Sequence, residues 1–160
     1  MSKEKISTAQ WVLERQINWI ATADVKVGVL ITLDVAMLGG LAAAFTQEDS
    51  YRSMWLYHWC GAAVIFLTLS IACAAFAVFP RLGAPKPSLL FFGSVNSRPM
   101  DEYVKLFKDA TDDQILEDWS TQIYRNAQIA SQKHHWVRWA LKAAFAGALP
   151  WLVSIGLLVK

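Results

Sequence analysis

Three stretches of the chain shed their charges. Val27 to Phe45 runs for 19 residues broken only by Asp34, Tyr57 to Phe79 for 23 without Asp, Glu, Lys or Arg, and Ala143 to Val159 for 17 with none. A bilayer crossing takes ~20 apolar residues at 1.5 Å rise, within a range of ~17–25. The pattern therefore predicts spans over 27–46, 57–79 and 139–159, the last extended back to Trp139 by a snorkelling Lys142. The first run carries its own cost. Its nine Leu, Ile, Val and Phe residues contribute roughly −0.3 to −0.6 kcal/mol each at mid-helix, and an Asp costs about +2.5 to +3.5. The terms nearly cancel, so this helix needs neighbours to stay in the membrane. A buried helix of a soluble protein is the alternative for this run.

Between and before the spans the pattern turns amphipathic. Ser7-x-x-Gln10 reads as a capping box opening a helix, and no proline interrupts the chain from there to Phe45. Residues 1–26 read as a cytoplasmic amphipathic helix with Trp11, Glu14, Arg15 and Asn18 on show. Its mixture of Glu and Arg favours packing against another helix over lying on a basic-loving lipid surface. Pro80, Pro85 and Pro87 stop the second span and make a linker. Ser88 to Gly93 is a short apolar run, read as one buried strand or a loop plugging the bundle. Ser97 and Pro99 open a helix to about Asp109, supported by Arg98–Glu102, Asp101–Lys105 and Lys105–Asp109 at four-residue spacing. Thr111-x-x-Gln114 is a second capping box, with Asp112 and Asp113 favoured in the first turn by the helix dipole. From Asp112 to Pro150 nothing breaks the helix, and Leu116, Trp119, Ile123, Ala127, Ala130 and Val137 recur at three- and four-residue steps. Pro150 is the expected place for a kink. The architecture predicted is an all-α membrane protein, with three transmembrane helices and a helical cytoplasmic layer over 80–136.

Composition supports this. Of 160 residues, 55% are hydrophobic and 18% charged, against ~45–50% and ~25% in ordinary soluble domains. Mean hydropathy is +0.31. A net charge of +2 is too small to suggest a nucleic-acid binder. Lys and Arg divide unequally: thirteen flank the spans within 1–26 and 80–142, and Arg52 alone lies in the short connection between the first two spans. The positive-inside rule then places the N-terminus and the 80–136 segment in the cytoplasm, and the C-terminus on the outer side of the membrane. Trp55, Trp59, Trp136 and Trp139 fall near the boundaries, as interfacial aromatics do. The first 26 residues do not read as a cleavable signal peptide. Cys60 and Cys73 share one helix 13 residues apart, so they read as small core residues.

Asp34 is the sharpest single feature, since an acid inside a span is a functional candidate by default. It shares a helical face with Val27, Leu30, Leu38, Leu41 and Phe45, and Ala36, Gly40 and Ala44 form a small-residue strip on roughly the opposite side. Asp34 either lines a hydrated path, in an oligomer or a pore, or holds the bundle together as a hydrogen-bonded acid. Asp24 and Lys26 mark the entrance of the first span, as pore residues or as an interface anchor pair. His134 and His135 are adjacent, and so point about 100° apart rather than toward one metal; no metal site or cofactor is expected. No Walker loop, dinucleotide fingerprint or nucleophile elbow occurs, which speaks against an enzyme. Arg81, Arg98, Arg125 and Lys133 with Tyr103 and Tyr124 combine positive charge with stacking rings, the needs of a nucleotide's phosphate and base; positive-inside charge with ordinary core aromatics is the other reading.

The ordered set Ala23-Asp24-x-Lys26, Phe79-Pro80-Arg81, Leu89-Leu90-Phe91-Phe92-Gly93, Glu102-Tyr103 and Asp118-x-x-x-Gln122-Ile123-Tyr124-x-Asn126-Ala127-x-Ile129-Ala130-x-x-Lys133 resembles the membrane-spanning effectors of Pycsar, the pyrimidine-cyclase antiphage system. Within it Phe91, Phe92, Gly93, Gln122 and Asn126 are family-motif residues. The resemblance implies a pyrimidine nucleotide cyclase as functional partner, a response to cyclic CMP or cyclic UMP, impairment of the inner membrane and abortive infection, with no catalysis. Homo-oligomers that form or rearrange on binding are the expected mechanism. The chain departs from a ligand-sensing protein in showing no cyclic-nucleotide-binding β-roll. A constitutive small homo-oligomeric ion channel or transporter is the rival function, and a non-conducting membrane anchor for a soluble partner is a third.

Overall fold

The computed structural model describes residues 2–46, 53–79 and 87–159. Every regular element among them is a helix: α1 Ser2–Thr46, α2 Met54–Val78, α3 Phe92–Asn96, α4 Met100–Asp109 and α5 Asp112–Leu158. The chain groups into two compact units. One takes α1 as far as Thr22 together with the stretch ending at Gln132; the other begins at Ala23, contains α2 and resumes at Lys133.

The second unit is built on apolar helices. α1, α2 and α5 are each long and apolar enough to cross a membrane, with mean hydropathies of 2.0, 2.3 and 1.6 over their most apolar windows. Small residues make their contacts: Ala63, Ala74, Ala77 and Ala140 are fully buried, which lets backbones approach closely where lipid removes the hydrophobic drive. Gly147 of α5 marks a close approach to α2, because a Cβ there would meet Leu67 Cγ at 3.1 Å and Phe66 Cβ at 3.2 Å. One cluster joins Ala23, Val27 and Leu30 of α1 with Cys73, Ala74 and Ala77 of α2 and Val137 and Ala140 of α5. A second joins Leu41, Leu56, Cys60, Ala63 and Leu158. Large apolar side chains such as Val29, Leu33, Ile65, Leu69, Phe145 and Leu152 stay exposed, the arrangement expected of helices solvated by lipid. Cys60 and Cys73 are free and buried. α5 passes Pro150 without a break. The Trp151 indole donates to the Met37 carbonyl at 2.7 Å, and the Ser154 hydroxyl to the Pro150 carbonyl at 2.8 Å.

The first unit carries most of the charged residues and also exposes large apolar side chains, among them Trp11, Trp19, Phe92 and Met100. Ala9 and Val12 of α1 face Leu116 and Ile123 of α5 across a groove, so the amphipathic helix packs on another helix. The capping box at Thr111 is formed in both directions: the Gln114 side chain accepts from Thr111 N–H at 2.9 Å, and Thr111 Oγ1 from Gln114 N–H at 3.3 Å. The expected box at Ser7 is not a helix start. α1 begins at Ser2, and Thr8 in its interior donates to Glu4 O; a capping motif is overridden where helix continues in front of it. Ser88–Gly93 is not a strand. It bends through Ser88–Phe91 into the single turn of α3, because side chains rather than a neighbouring strand take its backbone groups.

Candidate functional site

Ser88 begins a loop held from two sides. The Ser88 hydroxyl donates to the Asp118 carboxylate at 2.7 Å. The Leu89 and Leu90 amides donate to Asp118 Oδ2 at 2.8 and 3.2 Å. Ser88 Oγ in turn accepts from Leu90 and Phe91 N–H at 3.0 and 2.9 Å. On the other side Arg98 Nη1 donates to the Ser88 carbonyl at 3.1 Å and the Tyr103 hydroxyl to the Leu89 carbonyl at 3.2 Å. A carboxylate accepting several N–H and O–H groups makes charge-assisted bonds, about twice as strong as neutral ones. Gln122 continues the arrangement one turn along α5, its amide donating to Asp118 Oδ1 at 3.4 Å, and Asn126 donates to the Gln122 carbonyl at 2.9 Å. Gly93 serves the same turn: a Cβ there would stand 2.5 Å from the Phe91 ring, so the ring keeps its place because residue 93 is glycine.

Beside this loop lies an open cavity of about 390 Å³, whose polar lining is Arg98, Asp109, Gln114, Glu117, Asp118 and Thr121. It accepts a small molecule in size. Among the described residues its lining sets one guanidinium among the carboxylates of Asp109, Glu117 and Asp118 and neutral hydrogen-bonding groups, so it favours a donor-rich ligand edge, with Arg98 as the place for an anionic end.

The residues expected to bind a ligand do not all converge here. Arg81 lies outside the described residues. Arg98 lines the cavity, and Tyr103 shares the loop with it. Tyr124 is 68% exposed, and Arg125 donates to Gln128 Oε1 at 3.3 Å. Phe91 and Phe92 pack on each other with ring centroids 4.7 Å apart. Lys133 belongs to the other unit, where its ammonium pairs with the Asp24 carboxylate. The Lys133 side chain is 11% exposed and that of Asp24 42%, so the acid keeps contact with solvent and the base does not. Lys26 is exposed. Asp34 is 1% exposed and accepts from the Ser70 hydroxyl at 2.5 Å. Val27, Leu30 and Leu41 of its face are buried with it, and Ala36 and Gly40 are exposed. Among the described residues no His, Cys, Asp and Glu cluster could hold a metal ion.

Sequence reasoning missed the roles of Ser88 and Asp118. The four-residue step from Asp118 to Gln122 shows that they share a helical face. Nothing local shows that the acid takes two amides from a loop about thirty residues earlier.

A family model described as the Pycsar effector protein domain matches residues 8–160. The Pycsar effector protein SaPycTM of Staphylococcus aureus is 32% identical over 77 residues, 48% of this chain and 49% of the relative. The Pycsar effector protein PtPycTM of Propioniciclava tarda is 22% identical over 147 residues, 86% of this chain and 72% of the relative. The chain thus spans about half the length of the first relative it matches. No solved structure matches it.

Proposed function

Since the chain belongs to the Pycsar effector family, we propose that it is an antiphage membrane effector that responds to cyclic CMP or cyclic UMP, impairs the bacterial inner membrane and stops infection by abortive death of the cell. The observation that carries this reading is the division of labour in the fold. One unit holds the membrane-length helices; the other is a polar helical unit with a cavity of about 390 Å³ bordered by Arg98. The polar unit takes the nucleotide, supplied by a partner pyrimidine nucleotide cyclase that need not touch the effector. Copies of the chain assemble or rearrange, and the membrane unit then opens or disrupts the bilayer. A ligand drives such a change only by binding one state better than the other. The Lys and Arg distribution supports a cytoplasmic N-terminus and polar unit and a periplasmic C-terminus. No chemical step is assigned to the protein.

The test is dye release from liposomes carrying the purified chain, with cyclic CMP, cyclic UMP, cyclic AMP or no nucleotide. Release that depends on a pyrimidine nucleotide supports the reading. Equal release without nucleotide identifies a constitutive channel, and no release in any condition identifies a non-conducting protein.

A further inference from the structure

A groove of about 500 Å³ opens between α2 and α5 within the unit of membrane-length helices. Buried Cys73 and Ala143 form its floor, and Phe66, Leu69 and Trp139 stand exposed around it. The two helices run antiparallel along it. At one end the Phe76 ring stacks on Trp136 with centroids 5.0 Å apart; at the other a Cβ on Gly147 would meet Phe66 Cβ at 3.2 Å. The lining runs from residue 135 to residue 146 of α5, ~16 Å at 1.5 Å per residue. That is close to the depth of one leaflet's hydrocarbon, half of ~30 Å.

One end of the groove is apolar and the other cationic. The Lys142 ammonium lies 4.7 Å from the centre of the Trp139 ring. The His135 ring meets those of Trp136 and Trp139 edge-on at 5.8 and 6.5 Å. Helical side chains lean toward the N-terminus, so Lys142 reaches back along the groove and Trp139 fixes where its charge stands. Arg138, exposed and four residues earlier, shares that face.

Lys142 stands beside hydrocarbon. It falls about midway between the Phe76–Trp136 and Phe66–Gly147 contacts, and α2 opposite it lies within the uncharged run from Tyr57 to Phe79. A cation among membrane helices takes a partner. The acids of this unit do not supply one: among the described residues they are Asp24, which pairs with Lys133, and Asp34, which is buried against Ser70. A second copy of the unit would bring the same two engaged acids, whereas a phospholipid brings a phosphate.

We propose that this groove binds one anionic glycerophospholipid, with an acyl chain along Phe66, Leu69 and Ala146 and the phosphate at Lys142. Basic pockets between membrane helices hold anionic headgroups in this way. Phosphatidylcholine fits the same groove, but its choline cation cancels the charge that Lys142 attracts. The proposal uses the helices of one unit alone and does not depend on a response to cyclic nucleotides.

The test is native mass spectrometry of the full chain from detergent micelles holding equal amounts of phosphatidylglycerol and phosphatidylcholine, counting the lipids retained. The parent retains phosphatidylglycerol roughly fivefold over phosphatidylcholine, the preference conferred by one basic residue. Lys142→Met retains both lipids alike, which also shows that the variant keeps its groove. Ala146→Trp fills the groove from an exposed position and retains less of both. Lys26→Met, which removes an exposed cation of α1, keeps the preference, and an excess of glycerol phosphate displaces no lipid. Equal retention of the two lipids by the parent overturns the proposal, as does a preference that survives in Lys142→Met or is lost equally in Lys26→Met. Displacement by glycerol phosphate would make the site one for free phosphate. An unchanged lipid count in Ala146→Trp, with a changed multimeric mass, would give the groove to a second copy; either result overturns the lipid assignment.

Discussion

Ser70 of α2 donates a 2.5 Å hydrogen bond to Asp34 of α1, and both side chains are sealed from solvent, at 0% and 1% exposure. The acid that costs most to place in a membrane is met by the polar side chain that faces it from the next helix. Interhelical hydrogen bonds in membrane proteins contribute about 0.6 kcal/mol on average and up to about 1.7. Ser70→Ala therefore lowers thermal stability in detergent by an amount in that range. Asp34→Asn keeps an acceptor and the shape, and lowers it less. Asp34→Leu inserts more readily because the acid's penalty is gone. Dye release and cation preference measured on Asn and Leu variants at equal membrane expression decide whether the acid also works in conduction. Unchanged release in both assigns it to packing alone.

The Asp24–Lys133 pair is asymmetric, and its variants differ accordingly. Removing the carboxylate strands a base that is 11% exposed; removing the base leaves an acid that is 42% exposed and that water can solvate. A stranded buried charge costs far more than a solvated one. Asp24→Ala is expected to destabilise by about 1–3 kcal/mol, and Lys133→Met by less. Thermal unfolding of the two single variants checks the order, and equal losses would mean that the pair is solvated alike on both sides.

Asp118 holds the Ser88–Phe91 loop. Asp118→Ala removes the acceptor of the Leu89 and Leu90 amides and of the Ser88 hydroxyl. Hydrogen bonds to a charged group contribute about 1.5–3 kcal/mol. Hydrogen exchange at Leu89 and Leu90 should speed up by roughly ten- to hundredfold, while amides of α2 keep their protection. Slow exchange at both loop amides in the variant would show that other groups hold the turn.

Among the described residues Arg98 is the cation that borders the cavity. A charged hydrogen bond to phosphate contributes about 1.5–3 kcal/mol, so Arg98→Ala weakens nucleotide binding by roughly ten- to hundredfold in calorimetry. Arg125→Ala, outside the cavity lining, leaves it unchanged. Identical binding by parent and Arg98→Ala would place the nucleotide elsewhere.

Gly147 sits where α5 meets Phe66 and Leu67. Gly147→Ala combines a contact a few tenths of an ångström too close with a helix-propensity gain of about 1 kcal/mol, and comes out near neutral. Gly147→Leu overpacks the contact and destabilises by about 1–3 kcal/mol. A Leu variant melting with the parent in detergent would show that the two helices separate easily.

Periodicity and charge by themselves determined that this chain is helical, membrane-spanning and divided into apolar and polar stretches. Those properties depend on local energies: transfer of a 20-residue run into lipid, a proline that stops a helix, the Thr111–Gln114 box that starts one. The order of Asp24, Phe91-Phe92-Gly93, Gln122, Asn126 and Lys133 along the chain likewise carried the family. Only the tertiary structure decided what those polar residues touch. Lys133 reads in sequence as a candidate ligand contact or a positive-inside charge, and its partner Asp24 lies 109 positions away. Asp34 reads as an acid that is either hydrated or hydrogen-bonded within the bundle, and its donor is 36 positions away on another helix. Of the six proposed ligand contacts, the five that lie among the described residues divide among different roles for the same reason. Charge and ring type are visible at each position, but convergence on one cavity depends on how helices rotate about their axes, and that rotation is fixed by side-chain packing between segments far apart in the chain.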